Sequence, residues 1–122
     1  MFVVIVAGSR SFNDLSLMYN KLDYYLQKQD KVLIVHGGAN GADKYAAMYA
    51  KDRNIETKVF LPDWDKYGKK AGILRNIAMF KYVSQFQNRG CIVFWDGKSK
   101  GTKNDIELSE KYNVPLRIVE FR

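Results

Sequence analysis

Hydrophobic residues along the chain fall into five short runs, at residues 2–7, 31–36, 56–61, 90–95 and 115–121. The stretches between the runs repeat apolar residues at helical spacing, as Leu15, Met18 and Leu22 do in the first of them. Strands that alternate with helices predict a parallel sheet covered by helices on both faces. We therefore expect an α/β fold with a five-stranded, mainly parallel sheet in a three-layer α/β/α arrangement.

Two later segments have predicted boundaries that matter for function. Residues 62–72 form the longest stretch without a clear period, and we expect this segment to be irregular. An amphipathic helix follows and carries Arg75 in its first turns. The last helix is expected to begin after Thr102 and to end near Tyr112.

Length and composition bound the class of protein. The 122 residues are 47% hydrophobic and 27% charged, which suits a single domain over residues 1–122. The single cysteine, Cys91, excludes a disulfide framework. The apolar run 2–7 is too short to span a membrane and has no basic leader before it. We expect a cytoplasmic protein that does not bind membranes.

The charge balance is strongly basic. Twenty Lys and Arg against thirteen Asp and Glu give a formal charge of +7. This excess favours an anionic partner, and a solvated surface is an equal alternative. Part of it lies in two clusters, one with Lys66, Lys69, Lys70 and Arg75 and the other with Lys98, Lys100 and Lys103. The clustering favours a ligand that carries phosphate.

Glycine-containing loops follow three of the predicted strands. The residues expected to bind a ligand there are Gly8, Ser9 and Arg10 after the first strand, Gly37, Gly38, Asn40, Gly41 and Asp43 after the second, and Asp96, Gly97, Ser99, Gly101 and Thr102 after the fourth. Glycine leaves backbone amides accessible to a phosphate, and a following helix adds the positive end of its dipole. Since ligands of open parallel sheets bind outside the carboxyl ends of the strands, we expect the three loops to border one crevice.

Polar side chains beside these loops each have two interpretations. Arg10 could clamp a phosphate with its bidentate guanidinium or pair with an acid. Asp43 could hydrogen-bond a ribose or a neighbouring loop amide, or it could stabilise the start of the second helix. His36, the single histidine, could act as a general acid or base, or bond to a backbone carbonyl where its strand ends.

The irregular segment and the helix after it supply the remaining candidates for ligand binding, which are Asp63, Trp64, Arg75 and Asn76. Trp64 could stack on a base or pack the segment onto the sheet. The acidic residues lack regular metal-ligand spacing, so we expect no metal site and no other cofactor.

Taken together, these motifs resemble the SLOG superfamily of Rossmann-like nucleotide-binding domains. The residues that carry the resemblance are Gly8-Ser9-Arg10, the segment 37–43 and Gly101-Thr102, and, as in a small phage and bacterial branch, Pro62-Asp63-Trp64 and Arg75-Asn76. The resemblance covers nearly the whole chain. It implies a single Rossmann-like domain whose partner is a nucleotide-derived small molecule.

Two parts of the chain are similar to the lonely-guy phosphoribohydrolases. The segment 75–79 resembles their Arg-Lys-x-x-Met helix, and the segment 97–105 resembles their Pro-Gly-Gly-x-Gly-Thr-x-x-Glu loop. This similarity implies catalytic roles for Arg75, as a ligand or transition-state clamp, and for Asp105, as the carboxylate. Because Asp105 is one methylene shorter than glutamate and a misplaced carboxylate slows catalysis, binding without turnover is favoured.

The chain is also similar to the DNA-processing protein A family, which loads recombinase onto single-stranded DNA. Gly8-Ser9-Arg10 and the segment 37–43 carry this similarity, and the basic charge suits DNA. That family surrounds the fold with additional domains, whereas 122 residues offer a short footprint for a strand.

Three functions follow, in order of preference. The first is capture of a nucleotide or nucleotide-derived molecule, such as ADP-ribose, by a sensor or sponge. The second is hydrolysis of nucleoside monophosphates by an N-glycosidase or phosphoribohydrolase, and the third is binding of single-stranded nucleic acid. The superfamily also implies a homo-oligomer, and a wide apolar arc on the third predicted helix could face a partner, through Met79, Tyr82, Val83 and Phe86.

Overall fold

The computed structural model describes residues 1–122 and contains a five-stranded sheet. Its strands are β1 (Phe2–Gly8), β2 (Val32–His36), β3 (Glu56–Val59), β4 (Arg89–Trp95) and β5 (Leu116–Glu120). They lie in the order β3-β2-β1-β4-β5, and every neighbouring pair is parallel. The predicted α/β fold is confirmed, with a sheet that is wholly parallel.

Five α-helices connect the strands. They are α1 (Leu15–Leu26), α2 (Ala42–Asp52), α3 (Trp64–Tyr67), α4 (Ala71–Val83) and α5 (Lys100–Lys111). Side-chain caps explain where three of them begin, because the carboxylates of Asp14 and Asp63 and the hydroxyl of Ser99 accept hydrogen bonds from amides in the first turns of α1, α3 and α5.

Two predicted boundaries are wrong. The segment 62–72 is not irregular, since it contains α3, a 3₁₀ turn at Gly68–Lys70 and the start of α4. Helix α5 begins at Lys100, before Thr102, because Ser99 caps it from the preceding loop. As a result Gly101 and Thr102 belong to the first turn of a helix.

Side chains of β1 alternate between two apolar layers. Val4 and Val6 face a cluster that includes residues of α1 and α2. Val3 and Ile5 face a second cluster that includes residues of α4 and α5. The two layers confirm the three-layer arrangement and hold the sheet rigidly between the helices.

The strand order fixes where a ligand crevice can form. The chain runs outward from β1 through β2 to β3 and then crosses to β4 on the other side of β1. The loops after β1 and β4 therefore leave the carboxyl ends of these strands in different directions. This position is the switch point of the strand order, where open α/β sheets bind ligands. None of the helices combines the length and the apolar composition that crossing a bilayer requires.

The apolar arc expected to face a partner instead packs within the chain. Met79 and Val83 are buried, and Tyr82 and Phe86 are partly buried against the same core layer. The large apolar side chains that remain exposed between the end of β3 and the first turns of α4 are a different set, here called the β3–α4 surface. It consists of Val59, Leu61, Trp64, Tyr67, Ile73 and Leu74.

Candidate functional site

A crevice of about 520 Å³ opens at the carboxyl edge of the sheet. It lies between the loop after β1, the first turns of α4 and the start of α5. The predicted site residues that line it are Gly8, Ser9, Arg10, Asp43, Arg75, Asn76, Asp96, Ser99, Gly101, Thr102 and Asp105. The fold thus brings together residues from four separate parts of the sequence.

Other predicted site residues do not line this crevice. They are Gly37, Gly38, Asn40, Gly41, Asp63, Trp64 and Gly97. Asp63 caps α3 through a hydrogen bond from the Lys66 amide at 3.1 Å. Trp64 is 50% exposed, and its ring lies beside Gly72, which does line the crevice. The structure therefore gives Asp63 a capping contact and leaves Trp64 at the margin.

Two glycines allow the loop after β1 to pack closely against its neighbours. A Cβ on Gly8 would collide with the Phe94 carbonyl of β4 and lie 2.7 Å from the Ala42 Cβ. Gly41 has φ +76°, and a Cβ there would lie 2.6 Å from the Arg10 carbonyl oxygen. Because both positions lack a side chain, the start of α2 reaches the β1 loop, where the Ala42 amide donates to the Ser9 carbonyl at 3.3 Å.

Ser9 and Asp96 join the loops on the two sides of the crevice. The buried Ser9 hydroxyl accepts a hydrogen bond from the Asp96 amide at 3.2 Å. The Asp96 carboxylate accepts hydrogen bonds from the amides of Ser99 at 2.8 Å and Lys98 at 2.9 Å. These amides hold the pKa of Asp96 below its ordinary value. Both residues thus shape the loops that border the crevice.

The guanidinium of Arg75 is oriented by neutral acceptors. Its Nη1 donates to the Gly37 carbonyl at 2.6 Å, and its Nε donates to the Asn76 side chain at 2.8 Å. The Asn76 amide in turn donates to the Asn104 side chain at 3.2 Å. The one salt bridge in the structure joins Arg53 to Asp23, so no carboxylate pairs with Arg75. Its guanidinium therefore keeps donors for a ligand, although its charge also acts on Asp43 and Asp105.

Two buried carboxyl groups, of Asp43 and Asp105, line the crevice. Asp43 Oδ2 accepts a hydrogen bond from the Ala39 amide at 3.1 Å, while Asp105 Oδ1 has no hydrogen-bond partner. Burial raises the pKa of Asp43 to about 6. Burial, and after it the charge of Asp43, raise the pKa of Asp105 to about 8, against the opposing charge of Arg75. Near neutral pH one carboxyl can therefore donate a hydrogen bond while the other accepts.

His36 contacts a backbone amide of the loop after β2, and not the backbone carbonyl that was expected. The ring is buried, and its Nδ1 accepts a hydrogen bond from the Gly38 amide at 3.1 Å. Burial, with the nearby charge of Arg75 as a second cause, lowers the pKa of His36. The ring does not line the crevice, so the backbone contact, which shapes the loop after β2, is the one observed.

Sequence reasoning missed several residues of the crevice wall. Among them are Ser11 and Asn104, while Lys69 and Lys100 were identified only as members of the basic clusters and not as site residues. Lys100 and Asn104 are one helical turn apart, next to predicted residues of α5. That spacing would have identified them if the helix had been assigned its true start. Lys69 lay in the segment whose helical turns were not predicted.

Comparison with known proteins gives two matches. A family model described as the YspA, cpYpsA-related SLOG family matches residues 2–67, which include Asp43 but end before Arg75 and Asp105. The Gene 61 protein of Mycobacterium phage D29 is 32% identical over 119 residues, covering 93% of this chain and 92% of that protein. Both agree with the resemblance that the glycine motifs carry.

Proposed function

We propose that the crevice binds a nucleotide or a nucleotide-derived small molecule, because this chain belongs to the YspA, cpYpsA-related SLOG family. One observation carries the proposal. The loop after β1, the start of α5 and the guanidinium of Arg75 border a single crevice at the switch point of the sheet. A helix start and a cation that has no salt-bridge partner are together suited to phosphate.

The charges around the crevice support one orientation of such a ligand. Arg10, Lys69 and Lys100 are exposed on its rim, whereas Asp43 and Asp105 are buried within it. A phosphate is attracted to the rim and repelled by the buried carboxyls, so the proposal directs phosphate outward and an uncharged part of the ligand inward. The proposed function includes a cytoplasmic location. The unpaired Cys91 agrees with that location, because disulfides are rare in cytosolic proteins.

The test compares phosphorylated and unphosphorylated ligands. The protein is incubated with nucleoside monophosphates, ADP-ribose and cyclic nucleotides, and mass spectrometry identifies what is retained and what is released. Calorimetry then measures the affinity of the retained nucleotide and of its nucleoside. Arg75→Ala should weaken the phosphorylated ligand tenfold or more and the nucleoside much less.

A matched control removes a cation that is far from the crevice. Lys28 is exposed and follows α1, near the start of β2 and therefore at the opposite edge of the sheet. Lys28→Ala should leave both affinities unchanged. Equal losses of nucleotide and nucleoside affinity in Arg75→Ala would exclude a phosphate clamp, and retention of no nucleotide would overturn the proposed function.

A second candidate function, hydrolysis of the N-glycosidic bond, is favoured by the carboxyl of Asp105. This group is buried in the crevice with a pKa raised to about 8, first by its burial. It therefore keeps a proton near neutral pH and could donate that proton to a departing base as water adds to the sugar carbon. Asp105→Asn should abolish release of free base and leave nucleotide affinity nearly intact. Unchanged turnover would remove Asp105 from the role.

The proposal also includes a homo-oligomer that is formed through the β3–α4 surface. Every residue of β3 is exposed, and Leu61 is 72% exposed just beyond it. Large apolar side chains that are exposed together are typical of association surfaces. Leu61→Lys should lower the mass measured by light scattering to that of one chain. An unchanged assembly would exclude this surface.

A further inference from the structure

One exposed aromatic ring beside the crevice has no partner in the protein. Trp64 begins the one-turn helix α3 and is 50% exposed. No aromatic ring packs against it, and no cation lies over its face. The other exposed aromatic side chains are partnered, since Tyr24 packs on Tyr25 and the Lys66 ammonium lies 5.1 Å from the ring centre of Tyr67. Trp64 therefore has the one exposed ring without a partner.

A glycine joins this ring to the crevice. Gly72 and Ile73 lie in the first turn of α4, and both line the crevice. A Cβ on Gly72 would lie 3.6 Å from Trp64 Cη2, an ordinary van der Waals separation, and the φ of Gly72 is not positive. Neither packing nor backbone angle therefore requires glycine at this position. What its missing side chain provides is open space between the crevice and the indole ring.

Trp64, Gly72 and Ile73 together form an apolar shelf at the margin of the crevice, here called the α3–α4 shelf. Ile73 is 53% exposed, so the shelf continues the crevice wall with apolar surface. Apart from the indole N–H, the side chains of the shelf carry no polar atom, and the shelf has no charge with which to bind a phosphate. A flat aromatic group fits it better, because such a group covers an exposed indole face through stacking.

We propose that Trp64 stacks on the base of the bound nucleotide, so that the α3–α4 shelf is the base subsite of the crevice. This inference rests on the proposed nucleotide-binding function. The phosphate then lies toward Arg10 and Lys100, which belong to the loop after β1 and to the start of α5. Stacking uses the face of the base, which every base has. The shelf therefore distinguishes a nucleotide from a sugar phosphate that has no base.

The experiment compares nucleotides with ribose 5-phosphate, which keeps the sugar and the phosphate and lacks the base. Calorimetry at pH 7 measures the affinities of AMP, GMP, CMP, UMP, ADP-ribose and ribose 5-phosphate for the wild type and for Trp64→Ala. The variant should bind each of the five base-containing ligands that the wild type binds tenfold or more weakly, and ribose 5-phosphate within about twofold of the wild type.

The other outcomes separate the inference from the proposed function. An unchanged nucleotide affinity in Trp64→Ala, or an equal loss for nucleotide and ribose 5-phosphate, would overturn the stacking and leave nucleotide binding intact. Failure of all five base-containing ligands to bind the wild type would overturn the proposed function together with the inference.

Two further variants are matched controls. Trp64→Phe keeps an aromatic face and should retain most of the nucleotide affinity. Tyr67→Ala removes the neighbouring exposed ring, which Lys66 covers, and should leave that affinity unchanged. An equal loss in Tyr67→Ala would show that α3 as a whole matters, which overturns the assignment to Trp64. Trp64 also belongs to the β3–α4 surface, so light scattering is measured for each variant. A loss of affinity that accompanies a fall in mass would assign Trp64 to contact between copies and overturn the stacking.

Fluorescence identifies the stacked ring directly. The chain has two tryptophans, and Trp95 donates its indole N–H to the Ser99 carbonyl at 3.1 Å. A base stacked on Trp64 should quench indole emission when the wild type is saturated with the nucleotide that it binds most tightly. Trp64→Phe, saturated with the same nucleotide, should lose most of that quenching. Quenching that is unchanged in Trp64→Phe would come from Trp95 and would overturn the proposal.

Discussion

Arg75 Nη1 donates a hydrogen bond to the Gly37 carbonyl at 2.6 Å, which joins the first turns of α4 to the loop after β2. The contact requires glycine for reasons of space, since a Cβ on Gly37 would lie 2.7 Å from the Arg75 Cζ. Gly37 therefore supports the crevice without lining it, because it fixes a guanidinium that does.

Gly37→Ala should weaken nucleotide binding by displacing Arg75. We expect a severalfold loss of affinity for a nucleoside monophosphate by calorimetry. If the loss acts through the guanidinium, Gly37→Ala should cost much less affinity in an Arg75→Ala background. Additive losses in the double variant would mean that Gly37 acts on the ligand independently.

Gly41→Ala and Gly97→Ala should differ in stability although both glycines have positive φ. Their φ angles are +76° and +81°, but a Cβ on Gly41 would meet the backbone of Ser9 and Arg10, and a Cβ on Gly97 would meet nothing within 4 Å. Chemical denaturation should show a loss of about 1 kcal/mol for Gly97→Ala and of about 2 kcal/mol or more for Gly41→Ala. Equal losses would mean that strain in φ alone matters.

Asp105→Asn should change how stability depends on pH. The pKa of Asp105 is raised from 3.8 to about 8, mainly by burial. Between these values the folded wild type holds a proton that the unfolded chain releases, so rising pH destabilises it by at most about 1.4 kcal/mol per pH unit. The variant lacks this titration and should gain stability relative to the wild type from pH 5 to pH 8.

Urea denaturation at several pH values checks this prediction. The lowered pKa of His36 has the opposite effect, since stability is lost as pH falls below its ordinary 6.5. His36 is present in both proteins, so its contribution cancels in the difference between them. A difference in unfolding free energy that stays constant from pH 5 to pH 8 would show that Asp105 titrates normally.

Salt dependence should separate a nucleotide site from a nucleic-acid surface. A mononucleotide contacts few cations, so its affinity should fall only severalfold between 50 and 200 mM salt, as measured by calorimetry. A single strand that follows Lys66, Lys69, Lys70 and Lys100 would release many counterions and lose affinity far more steeply. Tight binding of single-stranded DNA, with an affinity that falls steeply as salt increases, would favour nucleic-acid binding by the basic rim as the function.

The candidate site was predictable where it depends on local sequence. Glycines after β1, β2 and β4 lie at the carboxyl edge of the sheet because parallel strands all end there. Many residues chosen on that basis, such as Ser9, Arg10 and Thr102, do line one crevice. Trp64 and Asp63 were less predictable, because the one-turn helix α3 is too short to produce a period.

The sequence by itself determined the alternation of strands and helices, the two-sided core and the edge of the sheet where a ligand could bind. These follow from hydrophobic period and glycine position, which act over a few residues. Only the tertiary structure decided that Arg75 bonds to Gly37, that His36 turns to the Gly38 amide, and that the carboxyls of Asp43 and Asp105 influence each other. Contacts between elements, and the burial that shifts a pKa, depend on how α2, α4 and α5 pack around the whole sheet, and no local pattern encodes those distances.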